Sequence, residues 1–305
     1  MTWILWPLLL LLCLGFTAYG WSLGQELLAF NIVYLTLALS LFILERRRPH
    51  EREWLRNDGQ ILPDLAHTLA SKGTAQVVIV MMLPGWLANS GGGLWPQSWP
   101  FVWQVVLGLV IAEFGLYWAH RIAHEFRPLW RFHSIHHSVR RLYFFNAGRF
   151  HVVDSLLKIG FSVPVLLLLG APKDVMLWYG YMTAFIGLLT HCNVEMKSGF
   201  FNWIFNTPEL HRWHHQPNVE GNTNYGENLM LFDHLFGTYH NPPVEAPRIL
   251  GINDYVPFRF LDQLRLPFEW KKWQDFYEAG NLEWIQAPNW GPPKFTHDSA
   301  ARGKG

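Results

Sequence analysis

Long apolar runs constrain the fold of this chain more than any other feature of its sequence. Residues 3–19 and 27–44 contain no charged side chain, and each run approaches the roughly 20 residues that an α-helix needs to cross a bilayer. Charged residues make up 15% of the chain, against about 25% in soluble domains. Because no basic segment precedes the first run and no small-residue cleavage site follows it, we expect a retained transmembrane helix there, not a signal peptide.

The basic residues predict how these helices are oriented. Glu45-Arg46-Arg47-Arg48 directly follows the second run, and Lys and Arg favour the cytoplasmic side of a membrane. Further crossings are predicted at four runs: 74–89, 101–119, 155–170 and 175–190. The sequence therefore predicts an all-α, multi-spanning membrane protein with about six transmembrane helices in three hairpins. Lys158 falls inside one predicted span, and we expect its side chain to extend to the cytoplasmic interface.

Fifteen histidines are present, and eight of them fall in three short clusters. The clusters are His120 and His124; His133, His136 and His137; and His211, His214 and His215. Spacings of three and four place these imidazoles on one face of a helix. All three clusters follow the cytoplasmic ends of predicted spans, where buried imidazoles without partners would be costly. We therefore expect a helical cytoplasmic cap that holds a metal site.

The number and type of ligands narrow the choice of metal. Four ligands fill a tetrahedral zinc site, so eight histidines are enough for two ions, although imidazole suits zinc, copper, iron and nickel alike. The sequence His120-Arg-Ile-Ala-His124 lacks the glutamate of a HExxH metalloprotease. Neither a zinc-deaminase pattern nor the Glu-x-x-His pairs of soluble di-iron bundles occur. The two cysteines, Cys13 and Cys192, are too few for a thiolate site.

In this order and on this topology, the clusters resemble the fatty acid hydroxylase/sterol desaturase superfamily of integral membrane di-iron enzymes. The resemblance extends over about residues 110–243. Three further segments are similar to family segments: Phe144 to His151, Thr190-His191-Cys192-Asn193, and Asn224-Tyr225-Gly226 with Phe232 to Tyr239. Arg140 and Arg141 depart from the family pattern. They are expected to be ordinary surface charges or to bind a lipid phosphate or carboxylate.

The resemblance implies a set of ligands and supporting residues. The eight clustered histidines and His191 are implied as iron ligands. His151 is implied either as a ligand or as a residue beside one, and Asn193, Asn224 and Asp233 are candidates for orienting the ligands. His234 and His240 are expected near the same region, and His50, His67 and His297 are interpreted as structural or exposed. Residues 1–100 are expected to form N-terminal transmembrane helices and loops, 101–243 the catalytic domain, and 244–305 a cytoplasmic or interfacial extension that ends in a disordered tail.

The same resemblance implies a reaction. Two iron ions would use O2 to oxidise a C–H bond of a membrane lipid, which is a fatty acyl chain, an ornithine or other aminolipid, a sterol or hopanoid, or a carotenoid. Hydroxylation is the preferred outcome, with desaturation as the alternative from the same superfamily. A membrane metal transporter or a non-catalytic metal-binding protein is the alternative from another class.

The partners are predicted from what the sequence lacks. It contains no GxGxxG after a strand, no cysteine iron–sulfur set and no His-Pro-Gly-Gly haem element, and Gly91-Gly92-Gly93 falls on a predicted external loop. We therefore expect no bound organic cofactor and an external electron donor, either a ferredoxin or a cytochrome with its reductase. The net charge of +1 argues against nucleic acid as a partner. The expected location is a bacterial inner membrane or the endoplasmic reticulum, with the site facing the cytoplasm.

Overall fold

The structure is a computed structural model that describes residues 2–89, 93–217, 221–246 and 248–279. These residues form eleven α-helices and contain no β-strand. The helices are α1 (Thr2–Ser22), α2 (Glu26–Arg47), α3 (Ile61–Asn89), α4 (Phe101–Glu125), α5 (Arg127–His137), α6 (Val152–Leu168), α7 (Lys173–His191), α8 (Pro208–His214), α9 (Leu231–Phe236), α10 (Phe260–Arg265) and α11 (Trp270–Glu278). The predicted all-α class is therefore confirmed for the described residues.

Three helices of the described residues are long and apolar enough to cross a membrane. They are Trp3–Ser22, Glu26–Arg47 and Phe101–Glu125, and they match three of the predicted crossings. The crossings predicted in α3, α6 and α7 stay predictions, as does the cytoplasmic position of the cap. The predicted tail at 297–305, His297 within it, and two residues of the 91–93 glycine run lie outside the described residues.

Glycines on α4 allow the central helices to pack closely. A side chain at Gly115 would collide with the backbone of Phe161 in α6, and one at Gly108 would meet the Val175 side chain of α7. Helices approach closely in membranes where such small residues face one another. Because α4, α6 and α7 each end or begin at a histidine-bearing segment, this packing brings those segments to the same end of the bundle.

The N-terminal hairpin packs on the outer face of α7. Trp6 of α1 and Leu41 of α2 are fully buried in one apolar cluster with Phe185 and Ile186. At the other side, the C-terminal segment covers α5, because Leu266 and Trp270 pack against Ile135. Here Nε2 of His67 lies 2.9 Å from Oε1 of Gln263, which agrees with its interpretation as a structural residue. The helix that bears the second cluster is thus enclosed between the bundle and residues 260–279.

Two basic residues lie where the sequence did not predict them. Lys158 does not extend to an interface, since its Nζ lies 2.6 Å from a carboxylate oxygen of Glu227 in the interior. Arg141 is neither a surface charge nor open to a lipid headgroup. It is 4% exposed, lies 3.0 Å from the Asp58 carboxylate and donates to the backbone oxygen of Arg56. Lys158 and Arg141 are buried for the same reason: a buried counter-charge offsets part of the cost of removing a cation from water.

Candidate metal centre

Four helix ends carry the histidines into one region. His120 and His124 lie in the last turns of α4, and His191 is the last residue of α7. The second cluster ends α5, and the third belongs to α8, with His215 as its C-terminal cap. α8 begins with Pro208 after an extended Thr207, and a proline at this position favours the start of a helix.

The nine histidines predicted as ligands come together in two groups, each with its candidate ligand atoms within 4.8 Å of one another. The first histidine group contains His120, His124, His133, His137 and His214. The second histidine group contains His136, His191, His211 and His215. Both HxxHH clusters are divided between the groups, because neighbouring histidines on a helix point in different directions. The sequence spacing did not predict this division.

The distances within the groups fit metal ions. Nε2 of His124 lies 3.1 Å from Nε2 of His137, and Nε2 of His211 lies 2.8 Å from Nε2 of His191. Two imidazole nitrogens bound at right angles to one metal, at about 2.1 Å each, are about 3.0 Å apart. The Nε2 atoms of three further histidines are buried and make no hydrogen bond within the described residues: His120, His133 and His214. All three belong to the first histidine group, where a cation would satisfy them.

Backbone carbonyls orient several of the rings. Nδ1 of His120 donates to the Tyr225 oxygen at 2.7 Å, and Nδ1 of His214 donates to the Thr223 oxygen at 2.8 Å. When Nδ1 carries the proton, the lone pair on Nε2 points to the centre of the group. The loop before α9 therefore sets the tautomer of two histidines from different helices.

Side-chain acceptors orient two further rings, and neither acceptor was predicted from the sequence. Oδ2 of Asp154 lies 3.1 Å from Nδ1 of His133, and Oδ1 of Asn146 lies 3.0 Å from Nδ1 of His191. The sequence contained a signal that could have identified Asp154 as a site residue. It is an acid in the first turn of an apolar helix predicted to span the membrane. Ionisable groups in such helices face the protein interior and mark functional sites.

Burial keeps the imidazoles outside the candidate spans neutral. It lowers the pKa of these groups well below the usual range of histidine, and neighbouring imidazoles lower it further. This applies to His136, His137, His211 and His215. Burial likewise lowers the pKa of His214 to about 3. Neutral imidazole is the form that binds metal, so the groups are prepared for cations at neutral pH.

Four other predicted site residues contact neither histidine group. His151 caps α6 by accepting from the Val153 N–H, and its Nε2 donates to the Leu264 oxygen. Asn193 bridges the N–H and the carbonyl of Glu51. Asp233 accepts from the Tyr225 and Gly226 N–H groups at 2.7 and 2.8 Å, and Asn224, at φ 55°, bonds both backbone groups of His240. Asp233 thus supports the peptide that holds His120, not an imidazole itself.

His234 and His240 also lie apart from both groups. The His234 ring stacks on Trp203, with 5.0 Å between ring centroids, and its Nε2 lies 3.1 Å from the Trp203 oxygen. The His240 ring packs edge-on against Trp213. His234 therefore offers a matched control for substitutions within the groups.

Replacing Asp154 with asparagine is expected to weaken metal binding about 10- to 100-fold, because a neutral amide holds the His133 proton less strongly than a carboxylate does. The measurement is metal retained per chain during titration with a chelator. Asp174→Asn, in the first turn of α7, makes the same change away from the histidines and should leave retention unchanged. Equal retention by Asp154→Asn and the unaltered protein would contradict this role.

The chain matches known proteins over the region that contains the site. The fatty acid hydroxylase family model matches residues 105–238. The ornithine lipid hydroxylase of Rhizobium tropici is 49% identical over 280 residues, which are 88% of this chain and 84% of that protein. The alkylglycerol monooxygenase of Xenopus tropicalis is 29% identical over 66% of this chain and 44% of its own length. A methylsterol monooxygenase of Arabidopsis thaliana is 25% identical over 138 residues.

No solved structure matches the chain. The identity and coverage shared with the Rhizobium protein, together with the family match across the histidine segments, decide the assignment. The chain belongs to the fatty acid hydroxylase family.

Proposed function

We propose that this chain is a membrane-bound hydroxylase that uses two iron ions and O2 to insert oxygen into a C–H bond of an aminolipid. The relatives, which are named as lipid hydroxylases and monooxygenases, confirm the predicted class of enzyme, a lipid-hydroxylating oxidoreductase. The observation that carries the proposal is the convergence of nine histidines into two groups. The relatives do not favour the desaturase or transporter alternatives, since none of the relatives named above is a desaturase or a transporter.

Each histidine group would hold one iron ion. The first offers five nitrogens and the second four, with no carboxylate or thiolate in either. Such sets fit iron, and an unactivated C–H bond requires a redox metal because no side chain is a sufficient oxidant. When bound, the two irons supply the reaction with O2. The nine histidines therefore stay our proposed ligands, with Asp154 and Asn146 as residues that orient two of them.

The chain itself supplies orientation and a dry environment. Phe150 stacks on His136 with 4.2 Å between ring centroids, and Trp130 lies 5.2 Å from the His124 ring. These aromatic walls limit the access of water to both groups, which protects a strong oxidant from side reactions.

Hydroxylation needs electrons from outside the chain. One lipid, one O2, two electrons and two protons give one alcohol and one water. We propose an external donor, either a ferredoxin or a cytochrome with its reductase. Purified, iron-loaded protein supplied with lipid and O2 is therefore expected to remain inactive until a reductant is added. Multiple turnovers measured without any reductant would contradict this requirement.

The membrane arrangement is proposed from the same geometry. Six crossings, made by α1 to α4, α6 and α7, would place both histidine groups at the cytoplasmic boundary of a bacterial inner membrane or of the endoplasmic reticulum. The division into 1–100, 101–243 and 244–305 stays a prediction. In this arrangement a lipid substrate reaches the site by lateral diffusion and does not leave the bilayer.

Lipid analysis tests the proposed function. Cells that express the chain are expected to accumulate an aminolipid heavier by one oxygen than the lipid of control cells, because the closely similar Rhizobium protein is named an ornithine lipid hydroxylase. Cells that express His137→Ala provide the matched control. A product lighter by two hydrogens would instead indicate a desaturase, and transport of metal without consumption of O2 would indicate a transporter.

A further inference from the structure

A buried ion pair lies against the metal centre without a role in holding it. Nζ of Lys158, in the second turn of α6, lies 2.6 Å from Oε1 of Glu227, in the segment before α9. Their side chains are 11% and 21% exposed. Among the described residues, neither atom makes a hydrogen bond beyond this pair. Both side chains therefore keep hydrogen-bonding capacity that the pair itself does not use.

The pair adjoins both histidine groups. Oε1 of Glu227 lies 3.3 Å from Nδ1 of His120, which belongs to the first histidine group. Nζ of Lys158 lies 3.9 Å from the centre of the Phe150 ring, and that ring stacks on His136 of the second histidine group. A molecule bound by Lys158 and Glu227 would lie beside both proposed iron sites.

The Glu227 carboxylate is not needed to orient His120 or to fix its own segment. Nδ1 of His120 already donates to the Tyr225 oxygen at 2.7 Å, so Glu227 is not required to orient it. The Glu113 carboxylate holds the backbone N–H of Glu227, so the carboxylate of Glu227 does not fix its own segment. Burying two charges costs as much as or more than their attraction returns. Ionisable side chains within apolar helices mark functional sites by default.

We propose that Lys158 and Glu227 bind the zwitterionic headgroup of an amino-acid lipid, with its carboxylate on Lys158 and its ammonium group on Glu227. A headgroup that carries both charges replaces the ion pair without bringing net charge into the site. A neutral lipid would separate the pair without compensation, and an anionic lipid would leave the Glu227 carboxylate unpaired. This inference rests on the proposed lipid hydroxylase function and names the residues that select the substrate.

The test measures lipid binding by the full-length, iron-loaded protein in detergent micelles. The probes are an ornithine lipid, its carboxylate methyl ester and its N-acetyl derivative. Lys158→Met is expected to raise the Kd of the ornithine lipid by about 30-fold or more, the usual result of removing one partner of a buried charge pair. It should leave the Kd of the methyl ester, which has already lost that contact, nearly unchanged. Glu227→Gln should show the same pattern with the N-acetyl derivative.

Three controls make the result decisive. Lys158→Arg keeps the positive charge and should bind the ornithine lipid at least tenfold more tightly than Lys158→Met. The variant with both Lys158→Met and Glu227→Gln removes both charges and should no longer discriminate among the three lipids. Iron content should equal that of the unaltered protein in every variant, because neither residue is a proposed ligand and His120 keeps its hydrogen bond to the Tyr225 oxygen.

The results that would overturn the headgroup site differ from the result that would overturn the proposed function. If each substitution weakens the binding of all three lipids by the same factor, or weakens none, the inference is overturned. Equally tight binding of phosphatidylethanolamine, whose anionic group is a phosphate, would overturn the selection of a carboxylate by Lys158. If the binding pattern holds but no lipid is hydroxylated in the presence of reductant and O2, the proposed function fails while the headgroup site stands.

Discussion

Replacing His136 with alanine is expected to reduce bound iron to at most one ion per chain and to reduce lipid hydroxylation by more than about 1000-fold. His214→Ala should do the same, because His136 belongs to the second histidine group and His214 to the first. The variant with both changes should retain almost no iron. Each substitution removes a nitrogen from a buried group with few other donors, and the function of a metal site depends on its full ligand set. Iron analysis of purified protein and product formation are the two measurements.

His234→Ala is the matched control for these variants. It also removes a histidine from the same part of the chain, but its ring stacks on Trp203 outside both groups. Its iron content and activity should equal those of the unaltered protein. Two irons retained in both single variants, or loss of iron from the His234 variant, would contradict the division of the site that the structure describes.

Replacing Arg149 with methionine is expected to lower the free energy of unfolding by about 3–5 kcal/mol. Arg149 is 2% exposed, and its Nη1 lies 2.6 Å from the Asp64 carboxylate, which is 1% exposed. Its Nε also donates to the backbone oxygen of Ile135, in the helix of the second cluster. Without the guanidinium, a buried carboxylate loses its counter-charge, and the segment whose carbonyl accepts from His136 becomes less well fixed. Thermal unfolding of the protein in detergent measures the loss.

Two variants test whether the unpaired Asp64 carboxylate causes the expected loss of stability. Arg127 pairs with Asp254, but their side chains are 60% and 21% exposed, so Arg127→Met should change stability by at most about 1 kcal/mol. The double variant Arg149→Met/Asp64→Asn removes the unpaired charge and should recover part of the stability lost by Arg149→Met. A single Arg149→Met variant as stable as the unaltered protein would mean that the buried pair does not support the fold.

The parts of the fold that follow from local pattern were predictable. The apolar runs at 3–19, 27–44 and 101–119 correspond to α1, α2 and α4, because hydrophobic length is a property of a single segment. The spacing of four predicted which histidines stay together, namely His120 with His124, His133 with His137, and His211 with His215. The prediction that all three imidazoles of each HxxHH cluster share one face was wrong, because His136 and His214 lie in the other group. His191 was identified from its resemblance to a family segment, and the structure places it in the second histidine group.

Features that depend on contacts between distant segments were not predictable. Which histidines of different helices share a group depends on how α5 sits among three other helices. The Asn146 contact to His191 joins residues 45 positions apart, and the Glu227 contact to Lys158 joins two different segments. Lys158 was expected at the interface because it lies close to the end of the predicted span. In the structure, the Glu227 carboxylate holds its side chain inside the protein.

The mass of the lipid product formed under 18O2 shows whether the inserted oxygen atom comes from O2. Membranes that contain the chain, an electron donor and an ornithine lipid are incubated with the labelled gas, and the lipids are analysed by mass spectrometry. If two irons held by the histidine groups use O2 to oxidise a lipid C–H bond, each hydroxylated product will contain one 18O atom, and His137→Ala membranes will form none. A product whose new oxygen comes from water, or a labelled product formed equally by His137→Ala membranes, would contradict the proposed function.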